Sequence, residues 1–468
     1  MKRYLLKLAF PLFVFFIAQG NVYGQYYNTL YWLQGIPQST YSNPDLMPQP
    51  RFFIGMPGLS SIYVGAGNSG FALRDFLRKN DNDDFYWDED HLIGKLGNHE
   101  FLDGEARAEI LAFGFRAQRN YLTFSITENT GARFGFPQDF FTLLLKGNDH
   151  FLQESRPGNF SGLGFDYAHY REYALSYSRE ITDRLHAGIR LKALQGLSSI
   201  SFERSDLSLN TAAETYELLL NANLLVNVSS PVPFSPLDSL DENFEFQPDL
   251  YDYFSNTGNR GGAIDLGVSF MATERLTLAL SATDIGAINW QQGVENFEMQ
   301  GEFEFGGIDL EEFFSDEGEE GDGFDQLLDS LKSVFDITET TNSFRQVLSP
   351  KIYASVAFDL SPRHKLALLN RTEIYNGQFL PSFTFSYNVR PIHAFSLALS
   401  YSVIQWNYAN VGLGFNVNLG PLQVYLISNN FFGAIQPHTL QVTTLHAGLN
   451  WVFGYRPRKE QVMPFLSL

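Results

Sequence analysis

The sequence contains no cysteine, which excludes a disulfide framework and any thiolate metal or redox site. Charge is scarce as well: charged residues make up 18% of the chain, and Lys plus Arg number 32 against 52 Asp plus Glu, for a net charge of -20. That balance excludes a general nucleic-acid binder, which needs a basic face. After the N-terminal region no apolar run approaches the ~20 residues of a spanning helix. There is no Gly-x-Ser-x-Gly elbow and no His-Glu-x-x-His helix, and the nine histidines are scattered. No catalytic residue, cofactor or metal site is therefore expected, and the chain is not read as an enzyme.

What is present is aromatic and turn-rich, with 44 Phe, 23 Tyr and 39 Gly. Residues 1–24 are expected to be a signal peptide. Met1, Lys2, Arg3 and Lys7 give a positive start, Leu8–Ala18 an apolar run, and Val22-Tyr23-Gly24 a cleavage site. Later segments alternate with period two. Phe395, Leu397, Leu399, Tyr401 and Val403 alternate with Ser396, Ala398, Ser400 and Ser402. Ile264, Leu266, Val268 and Phe270 alternate with Asp265, Gly267 and Ser269. A soluble sandwich and a membrane barrel both show this alternation, with the apolar face turned opposite ways.

Length and turns favour the barrel. The segments run to about ten residues or more, as tilted spanning strands require. Short connections at Gln118–Asn120, Glu180–Arg184, Ala272–Arg275, Ser361–His364, Arg390–His393 and Gly420–Pro421 alternate with connections that are mostly long, the asymmetry of outer-membrane barrels. Six hairpins, one strand at 59–67 before them and one at 441–455 after them give about fourteen strands with both ends on the periplasmic side. The expected fold is all-β: a transmembrane antiparallel β-barrel over 59–455, with long extracellular loops at 198–259 and 291–345 and a periplasmic tail at 456–468. Within the first loop Ser201–Asn210 faces Glu214–Val228 as a hairpin, and Phe136–Lys146 is expected to form a short helix.

Residues 25–58 are broken by prolines, so regular central strands are not expected there. Their aromatic content suits a plug folded into the barrel, with Trp32, Tyr41, Asn43 and Pro44 as candidates. The inward face is mostly small and polar, and Arg190, Lys192, Asp265, Arg371 and Glu373 are the candidate lumen-lining charges. Arg190 and Asp265 need partners if buried, and are expected to satisfy each other or the plug. The acidic stretch 309–340, with a helix expected over Phe324–Phe335, fits no calcium-loop spacing and is read as a solvated loop. Gly65-Ala66-Gly67-Asn68-Ser69-Gly70 fits a dinucleotide fingerprint, but without a βαβ context it is read as a strand end and loop.

Several runs carry a resemblance: Tyr41-Ser42-Asn43-Pro44-Asp45, Phe53 through Tyr63, Gly188 through Gly196, Gly262 through Gly267, and Asp284-Ile285-Gly286-Ala287-Ile288-Asn289-Trp290. They resemble a Bacteroidota outer-membrane family of unknown function. Its barrels in turn resemble the fourteen-stranded long-chain fatty-acid transporter and the type IX secretion shuttle barrel. The resemblance implies architecture and a place in outer-membrane lipid, but no substrate and no functional residues. Two roles stay open: passage of a small hydrophobic molecule, or a structural barrel with a protein partner in secretion or gliding machinery.

Overall fold

The computed structural model describes residues 28–33, 35–79, 85–213, 217–231, 250–305, 337–392, 394–404, 407–431 and 441–455. The expected signal peptide, the acidic 309–340 stretch apart from its last residues, and the 456–468 tail lie outside them.

The wall is a closed antiparallel barrel of fourteen strands. All six expected hairpins are present, from Glu100–Ala117 with Asn120–Phe136 to Asn407–Leu419 with Leu422–Ser428. Two of the tight turns use the left-handed region: Gly420 takes φ 65 at no steric cost, whereas Gln118 takes φ 55 against the preference of a residue with a side chain. The ring closes where the C-terminal strand Val442–Tyr455 pairs with two short N-terminal strands, Pro50–Gly55 and Ile62–Asn68. Both of these also pair with Glu100–Ala117, so they share one place in the ring.

Here the expectation for residues 25–58 is corrected, because Pro50–Gly55 is wall. Pro50 is tolerated as the first residue of its strand, and Pro57 falls in the interruption between the two pieces, beside Gly58 at φ 70. The expected loops at 198–259 and 291–345 carry a sheet above the barrel. Leu185–Thr211 runs on past the wall to pair with Leu218–Ser229, which pairs in turn with Val294–Phe305. The helix expected near Pro137 spans Gln138–Lys146. The glycine-rich 65–70 stretch ends a strand, and only a single helical turn, Leu73–Phe76, follows it.

Burial decides which way the alternation faces. Leu399, Leu445 and Leu280 are about half exposed, whereas Ser400, Asn450 and Asp265 are buried. The apolar face is outward all round the ring. Each such side chain left in water would forgo roughly 1.5–3 kcal/mol of burial, so this exterior belongs in hydrocarbon.

Candidate functional site in the barrel lumen

Residues 28–49 lie against the inward faces of the wall strands. Thr29 shares a hydrogen bond with Ser400 at 2.7 Å and donates to Asn429 at 2.6 Å. Gln38 donates to Glu109 at 3.0 Å and exchanges hydrogen bonds with Asn450. Leu30, Leu33 and Ile36 pack with Tyr63, Tyr425 and Ile427. Tyr31 and Trp32 pack with Tyr353 and Leu369, and Lys365 sits 4.9 Å over the Trp32 ring.

The candidates Asn43 and Pro44 rest where the wall has glycine. A Cβ on Gly188 would come within 2.2 Å of the Pro44 carbonyl oxygen, and one on Gly267 within 2.0 Å of Asn43 Oδ1. Ser178 donates to the Pro44 carbonyl at 2.5 Å, and Ser281 to that of Ser42 at 2.7 Å. Asp45 follows, fully buried. Burial pushes its carboxyl up to about 7, against the opposing pull of Ser269 and Asn43.

Farther from the short turns on the same strands lies a layer of buried charge. It contains all five candidate lumen residues and more. Lys192 is held by Asp265 at 2.8 Å and Asp284 at 2.6 Å. Arg190 bonds Glu172 at 2.9 Å and stands 4.4 Å over the Tyr41 ring, which ties the layer to the N-terminal segment. Arg190 and Asp265 are Cα partners on adjacent strands, yet they come no closer than 3.9 Å, each having a nearer partner. Lys351 bonds Asp284 at 2.7 Å. Arg371 bonds Glu373 at 2.9 Å.

Several contacts cross the ring. Arg133 reaches both Asp103 on the adjacent strand at 3.2 Å and Glu373 on the far wall at 3.1 Å. Tyr375 bonds Asp166, again across the lumen. Arg107 pairs with Glu105 at 2.5 Å and approaches Asp284 on the far side at 4.0 Å. Cations and anions alternate through the layer, which suits their depth, because a buried charge without a partner costs several kcal/mol.

Asp284 organises the centre. It sits at φ 60, where its strand slips register against Asn259–Met271, and its amide donates to Asp265 at 2.7 Å. Such a backbone costs about 1–3 kcal/mol and persists only where surroundings enforce it. Here it lets one carboxylate take both Lys192 and Lys351. Sequence reasoning missed Asp284, Lys351, Glu172, Arg107, Glu105, Arg133 and Asp103. Parity held a signal for part of this set, since Asp103, Glu105, Arg107 and Glu109 occupy alternate positions of one strand.

A closed antiparallel ring, apolar outside and polar within, defines this protein as a membrane-spanning β-barrel. Within that class, the chain belongs to DUF5723, a family of unknown function, whose model matches residues 44–429. No curated protein sequence matches it. Among solved structures it is similar to the Ralstonia pickettii toluene transporter TbuX, at 11% identity and a TM-score of 0.39 over 89% of this chain and 94% of that one. It is also similar to the Pseudomonas putida toluene transporter TodX, at 10% identity and a TM-score of 0.37 over 88% and 91%. A Pseudomonas aeruginosa FadL homologue matches at 9% and 0.38 over 89% and 94%.

Proposed function

We propose that this protein is an outer-membrane barrel that passes a small, uncharged, hydrophobic molecule, closed at rest by its own N-terminal segment acting as a plug. One observation supports the reading most: residues 28–33 and 35–49 lie inside the ring, hydrogen-bonded to its inward faces, and wall side chains pair across the lumen beside them. An eight-stranded barrel is filled by its own side chains, whereas rings of sixteen or more leave a channel. Fourteen strands enclose a space that must be either open or filled by something else. Here hydrogen bonds hold much of the N-terminal segment, beside the apolar packing of Leu30, Leu33, Ile36 and Trp32, and water can substitute for those hydrogen bonds once the segment moves. Each cation of the layer is paired with a carboxylate, so none is left over to draw in an anion. Outer-membrane lipid is the surrounding partner, reached by export through the N-terminal signal peptide.

A second reading, a structural barrel with a protein partner, draws on the many contacts that residues 28–33 and 35–49 make with the inward faces and on the sheet that extends above the barrel.

Native mass spectrometry of gently extracted protein separates the two. A bound apolar small molecule, lost when residues 28–49 are deleted, is the outcome expected. Co-purification of a stoichiometric protein with no small molecule would favour the second reading.

A further inference from the structure

The outward face of the wall breaks its apolar pattern along one line. Glu128, Arg171, Gln195, Arg260, Asn289 and Arg345 are successive Cα partners across neighbouring strands. On the same strands, toward the short turns, the outward residues are exposed and apolar: Leu175, Leu191, Leu266, Phe270, Leu280 and Ile285. The line therefore marks where hydrocarbon ends on the long-loop side. Among the described residues the opposite side of the ring shows no counterpart, since Leu397 to Val403, Val411 to Leu419 and Thr443 to Phe453 carry no charge at their outward positions.

The arginines of the row differ in engagement. Arg171 is taken by Glu128, with Nε to Oε1 at 2.6 Å, and lies under the Phe254 ring. Among the described residues Arg260 donates from Nε alone, to the Thr257 carbonyl at 2.8 Å. Both Arg260 and Arg345 are exposed, and neither makes an ion pair among the described residues. They flank Asn289 on adjacent strands, which sets them roughly 10 Å apart, two inter-strand spacings. Two exposed guanidinium forks side by side at the head-group level, with no carboxylate between them, form a receptor for phosphate, which Arg recognises in bidentate geometry.

We propose that Arg260 and Arg345 bind the phosphates of an outer-leaflet glycolipid and so fix this face of the barrel in the membrane. The inference rests on the outer-membrane reading above. A phosphorylated glycolipid fits better than a small ion because the row lies directly above a lipid-facing surface, so acyl chains and phosphate are bound together.

The test uses the full chain in non-ionic detergent, titrated by native mass spectrometry with diphosphoryl lipid A, the same lipid dephosphorylated, phosphatidylglycerol and inorganic phosphate. Diphosphoryl lipid A is expected to bind, with R260Q/R345Q weakening it about tenfold or more and E128Q, which frees Arg171, strengthening it. Equal binding of the dephosphorylated lipid or of phosphatidylglycerol, competition by inorganic phosphate at equal concentration, or an unaffected double variant would each overturn the proposal. Unboiled gel migration provides the separate control. A shift kept by both variants shows that the barrel is intact, while no shift in the native protein overturns the membrane reading and the proposal with it.

Discussion

Arg133 and Glu373 meet at 3.1 Å from opposite walls of the barrel, each also paired on its own side, with Asp103 and Arg371. The contact is a strut across the lumen, and each of its ends can be changed by a single substitution.

Removing both ends of the strut is expected to be worse than removing one. E373Q takes a counter-charge from Arg371 while Arg133 keeps Asp103, with a stability loss of about 3–5 kcal/mol. R133Q/E373Q takes the counter-charge from Asp103 as well and is expected to lose more. Planar-bilayer conductance should be absent in the native protein and appear in the double variant once residues 28–49 are also deleted. An open current in the native protein would contradict closure.

The glycines under Asn43 and Pro44 give a second handle. G188A and G267A each place a methyl within 2.2 Å of the N-terminal segment, an overpacking that costs about 1–3 kcal/mol. The segment should lift while the wall stays intact. The absence of native cysteine makes S42C a clean reporter: its thiol should react slowly with a polar maleimide in the native background and markedly faster beside either alanine.

Asp45 predicts a pH dependence. Its carboxyl titrates near 7 when docked and near 4 when free. Below about 4 it is protonated in both states and costs nothing. As pH rises from about 4 to 7 the free form sheds its proton first, so docking weakens across that window by on the order of a few kcal/mol. D45N removes the titration. The thermal midpoint of the native protein should fall between pH 5 and pH 8, and that of D45N should not. Parallel curves would refute the assignment.

Asp284 predicts a strain signature. D284N keeps the backbone and loses the charge shared by Lys192 and Lys351. D284G relieves φ 60 but removes the carboxylate as well. Both should destabilise, with D284G recovering part of the loss, on the order of 1 kcal/mol, from its backbone. Equal losses would show that the left-handed turn stores nothing.

Much of the wall was legible because a barrel strand writes its orientation every second residue. The six tight turns are local, so spacing alone located them, and the aromatic run near Trp32 and Tyr41 marked a segment that had to be covered. Pro50–Gly55 escaped because its neighbours are the two ends of the ring, and no local pattern announces such partners. The same reason hid the charge layer. Arg107 and Asp284, or Asp166 and Tyr375, face each other only once the sheet has curled round, and spacing along a chain carries no trace of that. Gly188 and Gly267 were visible within their motifs, but their purpose became visible only with Asn43 and Pro44 resting on them.

The double occupancy of one wall position by Pro50–Gly55 and Ile62–Asn68 has a consequence for biogenesis. The seam it forms with Val442–Tyr455 joins strands that lie far apart in the sequence, so the cylinder cannot be sealed until every strand between them is in place. Residues 28–49 are tethered directly to that seam at Pro50. Their docking on the inward faces and the pairing that seals the ring are therefore coupled through one short stretch of backbone.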